Sequence, residues 1–221
     1  MRFAVLILVL SCLIPRDTAA GAWQREPGTG FVSASIRLSW PQDLSHWTST
    51  APTQSYRTVF FEYGLTRRVT LGLDVGRSVS GGSKTVAFAQ FPLRARDSGP
   101  KIAAELGLGR IDGTQVFRPG LSIGWGLKRG WFAIDSVSEI GLRHGRTDYK
   151  MDITWGRNLP RDRKLIVQLQ TGAPDGEAAF ARLAPSLVIP IRKNIKLETG
   201  VTIGLTGDTS MGVKLGLWSS F

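Results

Sequence analysis

Hydrophobic and polar residues alternate with period two along almost the whole chain, the spacing of a strand that shows one apolar and one polar face. In the final stretch, 210–221, Met211, Val213, Leu215 and Leu217 share a parity with Phe221, while Gly212, Lys214, Gly216 and Ser220 take the other. Before it, Ile195, Leu197, Val201, Ile203 and Leu205 alternate with Lys196, Glu198, Gly200, Thr202 and Gly204. Thr206-Gly207-Asp208-Thr209 supplies turn chemistry between the two. The same reading upstream predicts strands over 30–40, 54–65, 69–79, 85–95, 101–110, 115–127, 131–142, 148–156, 164–171 and 178–191. In the strand at 85–95, Val86, Phe88 and Phe91 do not sort onto one face. No helical period of useful length appears.

The alternation therefore predicts an all-β fold of twelve strands. The count is even, as antiparallel barrels need if both chain ends are to share one side of a membrane. Strands near ten residues match a tilted bilayer crossing. Pro92, Pro119, Pro185 and Pro190 fall inside these strands and remove ladder donors, so bulges or strand ends are expected there.

The N-terminus has a different pattern: Arg2, an apolar run from Phe3 to Ile14, then Thr18-Ala19-Ala20-Gly21-Ala22 ahead of Gln24-Arg25-Glu26. This is the plan of a secretory signal peptide over 1–20, with cleavage after Ala20 or after Ala22. Residues 21–29 then form a short periplasmic arm, and 30–221 the barrel. Cys12, the single cysteine, lies in the leader, which leaves the mature chain with neither disulfide nor thiolate metal site.

An aromatic final residue, Phe221, closing an alternating strand behind a signal peptide resembles the C-terminal signature of bacterial outer-membrane β-barrel proteins. The resemblance implies a transmembrane antiparallel up-and-down barrel, porin-like, in the outer membrane of a Gram-negative cell. It implies outer-membrane lipid and lipopolysaccharide as surroundings, and Phe221 as the signal read by the barrel-assembly machinery.

With Phe221 facing lipid, the opposite parity gathers Arg37, Glu62, Asp74, Arg94, Glu105, Arg118, Asp135, Glu139, Arg143, Lys150, Asp152, Lys164, Arg182, Lys196, Glu198 and Lys214 as the lumen lining. An Arg or Lys turned to lipid at mid-depth costs about 2–4 kcal/mol, so a one-residue slip is heavily penalised and the register is well specified. Trp40, Phe117 and Tyr149 gather towards one rim, and Phe31, Trp125, Trp131, Trp155, Trp218 and Phe221 towards the other, as headgroup-level aromatic rings would.

The formal charge is +11, and every turn on the predicted periplasmic side carries basic residues. In an exported protein that balance points to anionic lipid or an anionic solute rather than nucleic acid. A hydrolase would need His46 or His144 within reach of a serine; Ser45 adjoins His46, but sequence neighbours point apart. Asp135, Glu139 and Asp152 could hold a hard cation, yet facing Arg118, Arg143 and Lys150 they read more simply as ion pairs. No phosphate-cradling loop is present and no cofactor is expected. The expectation is a small channel for ions or small polar solutes and not an enzyme. The alternatives are a structural or surface-interaction barrel with a salt-bridged, closed lumen and, behind it, a lipid-modifying enzyme. The loop 41–53 is the one connection long enough to fold over the mouth.

Overall fold

A computed structural model describes residues 21–95, 98–143 and 145–221. Residues 1–20, where a leader is expected and which include Cys12, lie outside the described residues, as does His144. Twelve strands form: β1 Gly30–Pro41, β2 Gln54–Thr66, β3 Val69–Ser78, β4 Ser83–Arg94, β5 Lys101–Ile111, β6 Thr114–Leu127, β7 Gly130–Gly141, β8 Thr147–Leu159, β9 Arg163–Ala173, β10 Phe180–Arg192, β11 Ile195–Thr206 and β12 Ser210–Ser220. Each pairs antiparallel with the next, and β12 pairs back onto β1, so the sheet closes into a barrel with no open edge. One short 3-10 turn, Leu44–His46, sits in the long loop 42–53.

Outward positions carry the apolar parity: Val59, Leu73, Leu108, Val201, Ile203, Val213, Leu215 and Leu217 all present exposed side chains. An apolar band of this extent around a closed barrel has a bilayer as its natural solvent, because closure satisfies every main-chain donor and acceptor in the wall. Phe221 belongs to this face. Its amide donates to Gly30 O at 3.0 Å, its carbonyl accepts from Gly30 N at 2.7 Å, and its ring stacks on Phe61 at 6.4 Å. The terminal residue thereby completes the β1–β12 seam.

Turns between strands are short. Asp112-Gly113, both at positive φ, make the two-residue hairpin turn whose twist matches the strands it joins. Asp112 also accepts from Ser83 N at 2.6 Å and ties that turn to β4. The prolines sit where the ladder is interrupted. Pairing shifts register after Pro92 and after Pro190, and skips Pro119 on the β7 side and Pro185 on the β11 side.

One expectation holds and one needs correction. In β4 Val86 and Phe88 turn inward, wholly or almost wholly buried, while Phe91 falls on the other parity, so the three do not share a face. Phe88 stacks on Phe60 at 5.8 Å, and its ring lies where a Cβ on Gly72 would be. The second concerns the aromatics grouped towards the Phe221 rim: Trp125, Trp155 and Phe221 face outward, but Phe31, Trp131 and Trp218 occupy inward positions. Trp131 is buried against Ala133, Ile166 and Val188, with Trp218 beside them. These rings fill the lumen at that end rather than anchoring in headgroups.

Candidate functional site: the lumen

Inward side chains are the barrel's chemistry, and one end of the lumen is occupied by the chain's own N-terminal segment. Residues 21–29 are folded into the mouth beside the β1–β12 seam rather than extending from it. At their root Gly28 N donates to Gly64 O at 2.8 Å and Gly64 N to Thr29 O at 2.9 Å. Gly64 is required here, since a Cβ would run into the Glu26 carbonyl. Arg25 then reaches Glu62 with N···O distances of 2.6 and 2.8 Å, its guanidinium 4.7 Å from the centre of the Phe31 ring. The Arg25 amide donates to Thr70 Oγ1 at 3.2 Å, and Gln24 donates to the Gln90 carbonyl at 3.4 Å. Trp23 lies on Gly124 and against the Trp131 cluster, Ala22 is buried, and Gln90 Nε2 donates to the Gly21 carbonyl.

Above the arm the lining is largely paired. Arg118, buried to 4 % side-chain exposure, bridges Asp74 at 2.7 Å and Glu105 at 2.9 Å, and Asp74 also takes Lys84 at 2.7 Å. Two cations and two carboxylates thus neutralise one another over β3, β4, β5 and β6. Lys150 pairs with Glu139 at 2.5 Å, and Lys214 with Glu198 at 2.8 Å, where Trp218 Nε1 donates a second bond at 3.0 Å. Lys164 lies over the Trp131 ring and reaches Asn158 at 3.2 Å. Arg182 is held by Asp208 from the β11–β12 turn at 2.5 Å, and Lys196 by Asp162 from the β8–β9 turn at 2.8 Å. Arg37 stacks its guanidinium 5.7 Å from the Tyr56 ring.

Two of the sixteen candidates stand apart from the lining. Arg143 is exposed in the β7–β8 loop, because β7 ends at Gly141. Arg94 lies beyond the bulge, opposite Ile102 and beside Gly99, at the rim. Asp135 and Asp152 face one another across β7 and β8 and enter no salt bridge among the described residues. No group of His, Cys, Asp and Glu suited to a metal ion occurs among the described residues. Arg118 serves Asp74 and Glu105 rather than the β7 carboxylates, a partner choice that sequence separation hid. The pattern also passed over Arg25, Lys84 and Asp208, whose roles come from an arm, a strand end and a turn. A depression of about 630 Å³ lies along the wall from β6 to β10, lined by residues of both faces, among them Leu121, Ser136, Tyr149, Lys150, Met151 and Phe180.

His46 projects into solvent from the long loop, its Nδ1 3.9 Å from Asp43. The Ser45 hydroxyl donates to Asp43 at 2.7 Å, not to the imidazole. That is helix-cap geometry: hydrogen bonds from Ser45 hold the Asp43 carboxyl below its usual value.

Compared with known proteins, the chain matches no family model and no curated sequence. Its fold is similar to solved structures. The KdgM porin aligns with a TM-score of 0.63 at 12% identity, covering 86% of this chain and 99% of that one. The NanC porin aligns at 0.65 and 9%, covering 84% and 98%. The outer membrane phospholipase A of Escherichia coli aligns at 0.50 and 13%, covering 91% and 93%. At such identities the likeness speaks to fold, which is that of a bacterial outer-membrane β-barrel, porin-like in its architecture.

Proposed function

We propose that the barrel is a narrow outer-membrane channel for small ions and polar solutes, with the docked arm as its closure. One observation carries the reading. The obstruction at the arm's end of the lumen is a tethered segment held by one buried ion pair and a few hydrogen bonds to Glu62, Thr70 and Gln90, with the Trp131 cluster on its other side. The porin neighbours support the same class. Because most lumen cations already face carboxylates, the field along the axis is nearly balanced, and selectivity between small anions and cations is weak.

Planar-bilayer recording of the mature chain tests this. The intact protein is expected to conduct in brief openings and a chain lacking 21–29 steadily, with a reversal potential near zero in a KCl gradient. Silence from both proteins would refute it. The closed, salt-bridged barrel would then be the right reading; the burial of Arg118, Glu139, Lys164 and Glu198 favours that alternative. At His46 the geometry gives no support to a hydrolase, since the Ser45 hydroxyl donates to Asp43 and not to the imidazole.

The outer surface suggests a second contact. Arg57 and Arg77 are directly opposed in register on the outward parity, both exposed, and Arg110 is exposed at the same end of β5. Like charges face to face are mutually destabilising, and phosphate groups of lipopolysaccharide at the outer leaflet would offset that repulsion. Phe221, at the seam, is the feature that the assembly machinery would read.

A further inference from the structure

Asp135 and Asp152 are inward carboxylates that enter no salt bridge among the described residues, while Asp74, Glu105, Glu139 and Glu198 are each paired. Lys84, Lys150, Arg182 and Lys214 act on Asp152 from a distance, and none of them is among the largest influences on Asp135. Asp135 and Asp152 are direct partners across β7 and β8. Ser122 donates to Asp135, but Asp135 Oδ1 is buried with no hydrogen-bond partner. Two facing carboxyls in such a place must either keep a proton between them or be met by a positive charge. What lies against Asp135 is Gly21: a Cβ on this residue would fall inside the Asp135 carboxylate. The Gly21 nitrogen, two bonds from such a Cβ, is therefore within a few ångströms of Asp135. In an intact precursor it is a neutral amide. After cleavage between Ala20 and Gly21 it is an ammonium group.

We propose that the leader is removed after Ala20 and that the new α-ammonium group of Gly21 is the counter-charge of Asp135, so that maturation itself adds a second ionic anchor to the docked arm. The step is a hydrolysis by an exported leader-processing endopeptidase. Water adds across the Ala20–Gly21 bond, Ala20 leaves with a carboxylate, and Gly21 keeps a protonated amine. The neighbouring contacts fit a defined terminus at this residue, since Gln90 binds the Gly21 carbonyl and Ala22 is buried. Cleavage after Ala22 would discard both and leave Asp135 without a counter-charge.

The test begins with the N-terminus of protein purified in detergent from outer membranes, read by intact mass and terminal sequencing. Gly21 is expected; Trp23 or any other start overturns the proposal. The α-amine is then acylated at neutral pH and labelling followed by peptide mass spectrometry. The rate is expected to be at least about tenfold slower than in Asp135→Asn, a factor equivalent to ~1.4 kcal/mol, with lysine labelling unchanged. Equal rates overturn the anchor. Should Asp135→Asn fail to fold, protein refolded with Ala19-Ala20 retained provides the comparison, because its amine lies two residues away from the carboxylates. Fast labelling of that chain beside slow labelling of the natural one supports the anchor, and equal labelling refutes it.

Discussion

Replacing Arg25 by Met separates the arm's charge anchor from its bulk. The Arg25 and Glu62 side chains are exposed by only 9 % and 3 %, and their closest approach is 2.6 Å. Removing one partner of a buried pair costs about 3–5 kcal/mol, most of it from the charge left behind. In this barrel that cost need not unfold anything. The arm is attached at Gly28 and Gly64, and once it leaves, Glu62 hydrates through the vacated mouth. The penalty should then appear as a shift of the docked-to-undocked ratio by roughly two to three and a half orders of magnitude.

A thiol reports that ratio. With the leader removed the chain has no cysteine, since Cys12 is its only one. Ala22→Cys therefore places a single probe at a position buried when the arm is docked. When opening is fast relative to the reagent, maleimide labelling tracks the undocked population. Adding Arg25→Met should accelerate it about a hundredfold or more, and Glu62→Gln in the same background should return much of the protection. A rise below about threefold, with the barrel folded, would show that Arg25 does not hold the arm.

Three further outcomes follow from other contacts. Arg118→Met should cost about 3–5 kcal/mol in denaturant unfolding by stranding Asp74 and Glu105, and the triple change with Asp74→Asn and Glu105→Gln should recover most of it. Burial alone would raise the Asp208 carboxyl, but bonds from Ser210 and Arg182 outweigh it and hold the group below its usual value. The tie to Arg182 thus contributes fully above about pH 4 and is lost as pH falls through the lowered folded value. Asp208→Asn should cost about 1–3 kcal/mol at neutral pH and remove that acid-dependent loss from the unfolding curve. Leu215→Arg, at mid-strand on the lipid face opposite Ile36 and Thr199, should cost about 2–4 kcal/mol measured in lipid vesicles.

Strand count, register and the outward identity of Phe221 were legible because a period of two assigns every residue to a face once one is fixed. Legibility fell where that assumption failed. In β4 the apolar residues split between the faces, so periodicity alone does not say which face is oily; Gly72 across the sheet leaves Phe88 a place inside. Phe31, Trp131 and Trp218 were grouped by closeness to strand ends, which gives depth and not face. The parity already written for their strands would have turned them inward. Arg94 escaped its parity because a bulge after a proline adds one residue to the count. The arm carried no periodic signal at all, so nothing in the pattern announced that it folds back into the barrel.

The arm and the inward rings answer one packing problem. A barrel of twelve strands lies between those whose own side chains fill the interior and those wide enough to stay open. Much of the wall here is glycine at inward positions such as Gly64, Gly72 and Gly124, which leaves space that water or a second layer must occupy. At the arm's end that layer is Trp23, Ala22 and Arg25, seated on Gly124, Gly64 and Glu62. Larger residues at those glycines would fill the mouth with no buried ion pair to satisfy, whereas a tethered segment is able to leave it. Small wall residues beneath a charged insert are therefore the arrangement that the proposed channel requires.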